Sequence, residues 1–262
     1  MIGRRECDLQ DAASLRTCLN REAFDVLINT ASLTGVDDCE LHPERAAIVN
    51  AGAPRVMAEV CAQKKAHLIH ISTDYVFDGY KPGLRGEEDP AEPINIYGQS
   101  KLDGEKAVLS VSPDFLVARV SWLFGPDKPS FPDMMLKRAQ QNDHVDAVAD
   151  KVSCPTYSED IADWIEPMLT DKRYHGILHL CNEGETTWQA YAQAVLDIAT
   201  KLGVTLKAHT VAGFSRLQFA GFTALRPEFT AMSTEKFQKL SGVHPRPWQE
   251  ALEDHLRRVL AA

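Results

Sequence analysis

The sequence predicts an α/β fold: a doubly wound parallel sheet followed by a smaller α/β lobe. Three observations carry this reading. Short apolar runs of strand length alternate with longer helical stretches through the first half. Ser72-Thr73-Asp74-Tyr75 closes one apolar run, and Tyr97 and Lys101 stand four residues apart in the next helical stretch. The second half then changes character, with capped helices outnumbering strands.

The elements follow in order. Asp25-Val26-Leu27-Ile28-Asn29-Thr30 reads as a short buried strand. Glu44 to Gln63 reads as one helix, its stripe carried by Ala47, Ile48, Ala51, Val56 and Val60. His67 to Ile71 is the second strand, leading into Ser72-Thr73-Asp74. Asp78 to Gly83 and Asp89-Pro90 mark a long loop. Tyr97 to Ser110 is a helix, and Phe115 to Val120 a third strand. Beyond them, Ser158-Glu159-Asp160-Ile161-Ala162 opens a helix with acidic residues in its first turn. Gly176 to Cys181 is a strand, and Thr186-Thr187-Trp188-Gln189 fits a capping box before a helix from Ala190 to Leu202. Helices near Thr234–Leu240 and Pro247–Leu260 finish the chain. Residues 1–154 are assigned to the sheet domain and 155–262 mostly to the second lobe, with some interleaving.

Composition narrows the class. The chain has 262 residues, 44% apolar and 25% charged, within the range of one large globular domain or a domain plus lobe. The net charge of −9 argues against a nucleic-acid or anionic-membrane surface. No apolar run reaches bilayer length, and Met1 to Asp8 carries no apolar leader, so a cytoplasmic protein is expected. Six cysteines without a Cys-x-x-Cys pair read as reduced core thiols, and no metal site is expected.

Tyr97 and Lys101 carry the chemistry. Four residues on a helix bring two side chains to one face. A lysine ammonium there is expected to favour the phenolate and lower the tyrosine pKa, with Lys101 and Tyr97 together serving a nicotinamide cofactor. A hydroxyl from Ser72-Thr73 would hold the same carbonyl oxygen. The spacing alone is a weak signal, since both residue types are common. It gains weight because only one of the six tyrosines has a lysine four residues on, and because the hydroxyls lie in the expected order upstream.

A dinucleotide-binding fold should open with strand, glycine-rich turn and helix. No such turn is present: Ile2-Gly3-Arg4 precedes no helix at the right spacing. Cys7-Asp8-Leu9 instead resembles the segment after the second strand of such a fold. The first residue is therefore expected to fall about thirty residues into the fold, past an opening βαβ segment. That loss is expected to weaken cofactor binding and to leave a central gap that opens the core of the sheet.

Further stretches carry a resemblance: Ile28 to Asp37, Ile71-Ser72-Thr73-Asp74-Tyr75-Val76-Phe77-Asp78-Gly79, and Asn95-Ile96-Tyr97-Gly98 with Lys101-Leu102-Asp103-Gly104-Glu105. Arg119 to Gly125, Cys154-Pro155-Thr156-Tyr157, Thr186-Thr187-Trp188 and Arg226-Pro227 extend it. Through them, and over nearly its whole length, the chain resembles the extended short-chain dehydrogenase/reductases, and within them the dTDP-4-dehydrorhamnose reductase family. The resemblance implies a Rossmann-like domain with NADPH or NADH as cofactor, and reduction of a 4-keto-6-deoxy sugar nucleotide to dTDP-L-rhamnose. It implies Thr73, Tyr97 and Lys101 as catalytic residues, with Tyr97 and Lys101 also on the nicotinamide ribose. Asp74 and Trp122 fall on positions contacting the sugar nucleotide, as Thr73 does. Ala31, Ser32, Leu33 and Thr34 fall on the loop lining the cofactor, and Asp8 and Leu9 near its adenine. Trp122 has a second reading as a core aromatic at a lobe junction. The oligomeric state stays open, with a homodimer among the arrangements allowed. The regulatory subunit of methionine adenosyltransferase is a rival resemblance, through Asp74 to Gly79 and Lys101 to Val108. An inactive truncated paralogue is a third reading.

Overall fold

The computed structural model describes residues 3, 6–219 and 221–261. Met1, Ile2, Arg4 and Arg5, part of the run read for an apolar leader and for a glycine turn, lie outside the described residues.

Helix α1 (Ala12–Arg21) is capped by Asp11, whose carboxylate accepts from the amides of Ala13 and Ser14. Strand β1 (Val26–Asn29) follows, then α2 (Val36–Leu41) and α3 (Pro43–Ala47). A π turn (Ile48–Gly52) joins α3 to α4 (Ala53–Lys64). The expected Glu44–Gln63 helix is therefore interrupted. Pro54 has no N–H to give the Asn50 carbonyl, and the chain widens there to an i→i+5 bond from the Ala53 amide to the Ile48 carbonyl. Next come β2 (His67–Thr73), α5 (Ile96–Val111), β3 (Leu116–Val120), β4 (Leu123–Phe124), α6 (Phe131–Gln141) and β5 (Val145–Val148). The short strands β6 (Val152–Ser153) and β7 (Thr156–Tyr157) precede α7 (Ser158–Ile165) and β8 (Gly176–Leu180). The chain ends with β9 (Thr186–Thr187), α8 (Trp188–Lys201), β10 (Val211–Phe214), α9 (Glu235–Ser241) and α10 (Trp248–Ala261). The expected Thr186–Gln189 capping box does not form at α8, and the cap falls one residue later. Thr187 accepts from the Ala190 amide, while Gln189 reaches out to the Val211 carbonyl.

The main sheet is parallel, in the order β1-β2-β3-β8. Its pairing runs Val26 to His67, Ile69 to Leu116 and Leu116 to Gly176. The strands alternate their side chains between two buried faces. Leu68 and Val117 pack under α1, α4 and Val108 of α5, while Ile69, Leu116 and Leu178 pack under α7 and Phe237 of α9. The expected central gap is not found. The four strands are contiguous and β1 is outermost, with β2 its only strand neighbour among the described residues. Ile28 stands 41% exposed there.

A second core forms around α6, β5, α8, β10 and α10, centred on Tyr191, Phe124, Tyr157 and Trp248. The chain passes back and forth between the cores. Residues 131–148 pack with the second core, and β8 then returns to the main sheet. Among the described residues no helix is long and apolar enough to cross a membrane. All six cysteines are free thiols.

Candidate active site

The C-terminal ends of parallel strands are where open α/β sheets bind ligands. Here the end of β2 delivers Thr73 and Asp74, and the first turns of α5 deliver Tyr97 and Lys101. Strand alternation sorts the two hydroxyls. Ser72 turns under the sheet and donates to Glu105 Oε1 at 2.5 Å, while Thr73 faces Asp74. Glu105 is itself fixed by Arg119, which donates through Nε at 3.0 Å and Nη2 at 2.7 Å in a buried pair.

Helix α5 can lie this low because of two glycines. A Cβ on Gly98 would fall 2.2 Å from the Tyr75 carbonyl oxygen, and one on Gly104 would fall 2.2 Å from that of Asn50. Asn95 caps the helix by accepting from the Gly98 amide. Each helix-interior glycine costs about 1 kcal/mol of propensity. The close approach is what that cost sustains.

Asn50 is a site residue that the motifs did not point to. From the π turn its side chain accepts from the Leu33 amide at 2.8 Å and donates to the Leu33 carbonyl at 3.0 Å. It also donates to Ser100 Oγ at 3.0 Å, and Ser100 donates to the Tyr97 carbonyl. One buried amide thus ties the Ala31–Thr34 loop to the helix carrying Tyr97. Asn29 secures the front of that loop, accepting from the Ala31 amide. Pro54 four residues after Asn50 was the signal available in the sequence.

Tyr97 and Lys101 differ electrostatically from the expectation. Lys101, 2% exposed, donates to the Ile71 carbonyl at 2.6 Å. Burial pushes its pKa down to about 8, with the Glu105 charge pulling up. Burial also pushes the Tyr97 phenol up to about 12, with the neighbouring Thr73 hydroxyl opposing and the Asp74 charge adding to the rise. The expected lowering of the tyrosine pKa is not found: burial outweighs it, and the Lys101 ammonium is directed to the Ile71 carbonyl. The Tyr97 ring sits edge-on to Tyr75, centroids 5.6 Å apart.

Asp74 is buried and fully engaged. Its Oδ1 accepts from Thr73 at 3.2 Å, and its Oδ2 accepts from Ser121 at 3.0 Å and Thr230 at 2.6 Å. Trp122 follows Ser121 with φ +41°, a left-handed conformation that is uncommon for a bulky residue. Its partly buried ring lies 4.8 Å from Tyr191, 5.0 Å from Phe131 and 5.3 Å from Trp188. Ala31 and Thr34 are exposed at the rim, with Ser32 and Leu33 half-buried. Asp8 spends its carboxylate on the Gln10 amide, and Leu9 packs on the α1–α4 core. No hydrogen bond among the described residues links Asp8 or Leu9 to the Ala31–Thr34 loop. Arg226 ties the second lobe to α2, donating to both oxygens of Asp37 at 2.9 and 2.6 Å. That contact holds the Asp37 carboxyl down at about 2.

The half-buried to exposed Ala31–Thr34 loop follows the end of β1 and is tied through Asn50 and Ser100 to the helix that carries Tyr97 and Lys101. A parallel sheet bearing Thr73, Tyr97 and Lys101 at its C-terminal edge defines a Rossmann-like oxidoreductase. The chain belongs to the RmlD substrate binding domain family, which matches residues 1–261. It is 33% identical over 259 residues to a dTDP-4-dehydrorhamnose reductase from Sinorhizobium fredii, covering 95% of this chain and 86% of the relative. It is 36% identical over 259 residues to one from Mycolicibacterium smegmatis, covering 98% and 77%. A crystal structure of dTDP-4-dehydrorhamnose reductase from Bacillus anthracis in complex with NADP superposes with a TM-score of 0.90 at 26% identity, covering 98% of this chain and 89% of that one. These relatives favour the reductase reading over the regulatory subunit.

Proposed function

We propose that this chain reduces the C4 carbonyl of a dTDP-4-keto-6-deoxy sugar, giving dTDP-L-rhamnose, with NADPH or NADH as cofactor. The observation that carries the reading is the convergence of Thr73, Asp74, Tyr97 and Lys101 at one sheet edge. The nicotinamide supplies the hydride when bound. Thr73 offers its hydroxyl to the carbonyl oxygen. Tyr97 enters protonated, as a donor must, since burial keeps its phenol neutral at pH 7. As the proton leaves, Lys101 is the near cation able to meet the phenolate, and it also holds the ribose hydroxyls. Asp74 and Trp122 contact the sugar nucleotide. Ala31, Ser32, Leu33 and Thr34 line the cofactor, with Asp8 and Leu9 toward its adenine. In this reading residues 1–154 build mostly the cofactor side and 155–262 mostly the substrate side of a cytoplasmic enzyme. A homodimer is the assembly to test for by sedimentation.

Tyr97→Phe tests the assignment, because it deletes one hydroxyl and keeps the ring packing on Tyr75. Turnover of the keto sugar is expected to fall by about 10²–10⁴-fold with the fold intact by circular dichroism. Parental turnover in Tyr97→Phe would remove Tyr97 from the mechanism.

A further inference from the structure

Lys151 is 1% exposed, yet its hydrogen bonds go to two hydroxyls, Ser153 Oγ at 2.9 Å and Thr230 Oγ1 at 2.6 Å, and to no carboxylate among the described residues. Its ammonium also lies 5.2 Å over the Tyr75 ring. Burying a cation without a direct counter-ion is costly, and an apolar side chain would pack the same space at less cost. The hydroxyls show where the charge is directed. Thr230 accepts from the Lys151 ammonium and donates to Asp74 Oδ2 at 2.6 Å. Thr230 sits on a strap from the second lobe that is pinned to Lys151's own neighbour: the Thr230 amide donates to the Val152 carbonyl at 3.0 Å, and the Val152 amide donates to the Glu228 carbonyl at 2.7 Å.

Asp74 is thus loaded unevenly. Two donors hold Oδ2, one of them backed by a cation, while Oδ1 has only the 3.2 Å contact from Thr73. Thr73 has a single hydroxyl hydrogen. Drawing the Asp74 charge toward Oδ2 loosens the hold of Oδ1 on that hydrogen and leaves it available to a carbonyl oxygen.

We propose that Lys151 is a further positioning residue of this site, acting through Thr230 to polarise Asp74 and so to release the Thr73 hydroxyl toward the carbonyl. The role of the released hydroxyl rests on the reductase reading; the Lys151–Thr230–Asp74 link does not. The charged and titratable groups around Lys151 are Asp74, Cys154, Arg216 and Arg226, with Tyr75 under the ammonium. Burial lowers the Lys151 pKa to about 8, and Asp74 is the first group raising it.

Two readouts decide the proposal. The first is carbon NMR of the lysine Cε positions in the full chain without ligand, with Lys151 identified by the signal lost in Lys151→Met. Lys151 is expected to titrate near 8 in the parent and at lower pH in Asp74→Asn and in Thr230→Val, with Thr230→Ser restoring the parental value. A Lys151 titration that is the same in Asp74→Asn and Thr230→Val as in the parent overturns the link. The second is reduction of dTDP-4-keto-6-deoxy sugar. Lys151→Met and Thr230→Val are expected to lower kcat by about 10- to 100-fold with KM within about threefold, and Thr230→Ser to recover most of the rate. Parental kcat in both variants, or a raised KM at parental kcat, overturns the positioning role. A parent chain that reduces no keto sugar overturns the reading of function, and the lysine titration still decides the link.

Discussion

Gly104→Ala is the sharpest structural test of how α5 is seated. The new methyl would lie 2.2 Å from the Asn50 carbonyl oxygen, backbone that no rotamer change can move aside. Ordinary contact begins at 3.4 Å, so helix and π turn must separate by about 1 Å. That shift stretches the 3.0 Å bond from Asn50 to Ser100 and pulls on the two bonds from Asn50 to Leu33. Overpacking costs about 2 kcal/mol and the three weakened hydrogen bonds about 1–2 kcal/mol together, offset by about 1 kcal/mol of helix propensity gained. The net loss is about 2–3 kcal/mol. At about 2–4 °C per kcal/mol for a chain of this size, the melting midpoint should fall by about 5–10 °C. Calorimetry reads it, with Asn50→Ala as companion: that variant loses the three bonds outright without adding a clash and should cost about 3 kcal/mol. A Gly104→Ala midpoint within about 1 °C of the parent would show that the close approach is not a constraint, and the seating argument would fail.

Other outcomes follow from the same contacts. Asp37→Asn removes the carboxylate that accepts from Arg226, Thr223 and Ala224. Allowing for its exposed third, the cost should be about 1–2 kcal/mol, read from urea midpoints. Because the folded Asp37 pKa is lowered to about 2 from 3.8, this contribution is full above pH 4 and is lost as pH falls toward 2; an acid midpoint unchanged in Asp37→Asn would contradict it. Lys101 and Lys151 are lowered to about 8, so the unfolded chain holds those protons longer, and stability should rise between pH 8 and 9. Above that range thiols such as Cys39, held up at about 11 in the fold, reverse the trend; a urea midpoint that falls from pH 8 to 9 would refute the burial of the two charges. Trp122→Phe keeps a ring among Phe131, Trp188 and Tyr191 and should raise KM for the sugar nucleotide several-fold with a near-parental melting midpoint. Unchanged KM would leave Trp122 as packing alone.

The strands β1, β2, β3 and β8 were legible because each is a compact apolar run bounded by turn residues, and local pattern decides such elements. The helix carrying Tyr97 was legible from spacing. The π turn was not read, because its cause is a single missing amide at Pro54 inside an otherwise helical stripe. Asn50, Thr230 and Lys151 were invisible for a different reason. Each acts through contacts to residues 17 to 156 positions away, which no local period encodes. The electrostatics of Tyr97 and Lys101 failed as a sequence inference because spacing places two side chains on one face without saying what else is within reach. Here the Ile71 carbonyl won the lysine.

The repeated passage of the chain between its cores bears on how the protein is made. Residues 131–148 leave the ribosome long before α8, β10 and α10, the elements that bury them. Until α10 emerges, Met135, Leu136 and Val145 have no complete core to enter. The main sheet must likewise wait for β8 before β3 is covered on its second edge. Neither core can therefore close as an early, self-contained folding unit during synthesis. Nascent chains stalled after residue 154 should be open to protease in both halves, and should engage chaperones that full-length chains escape.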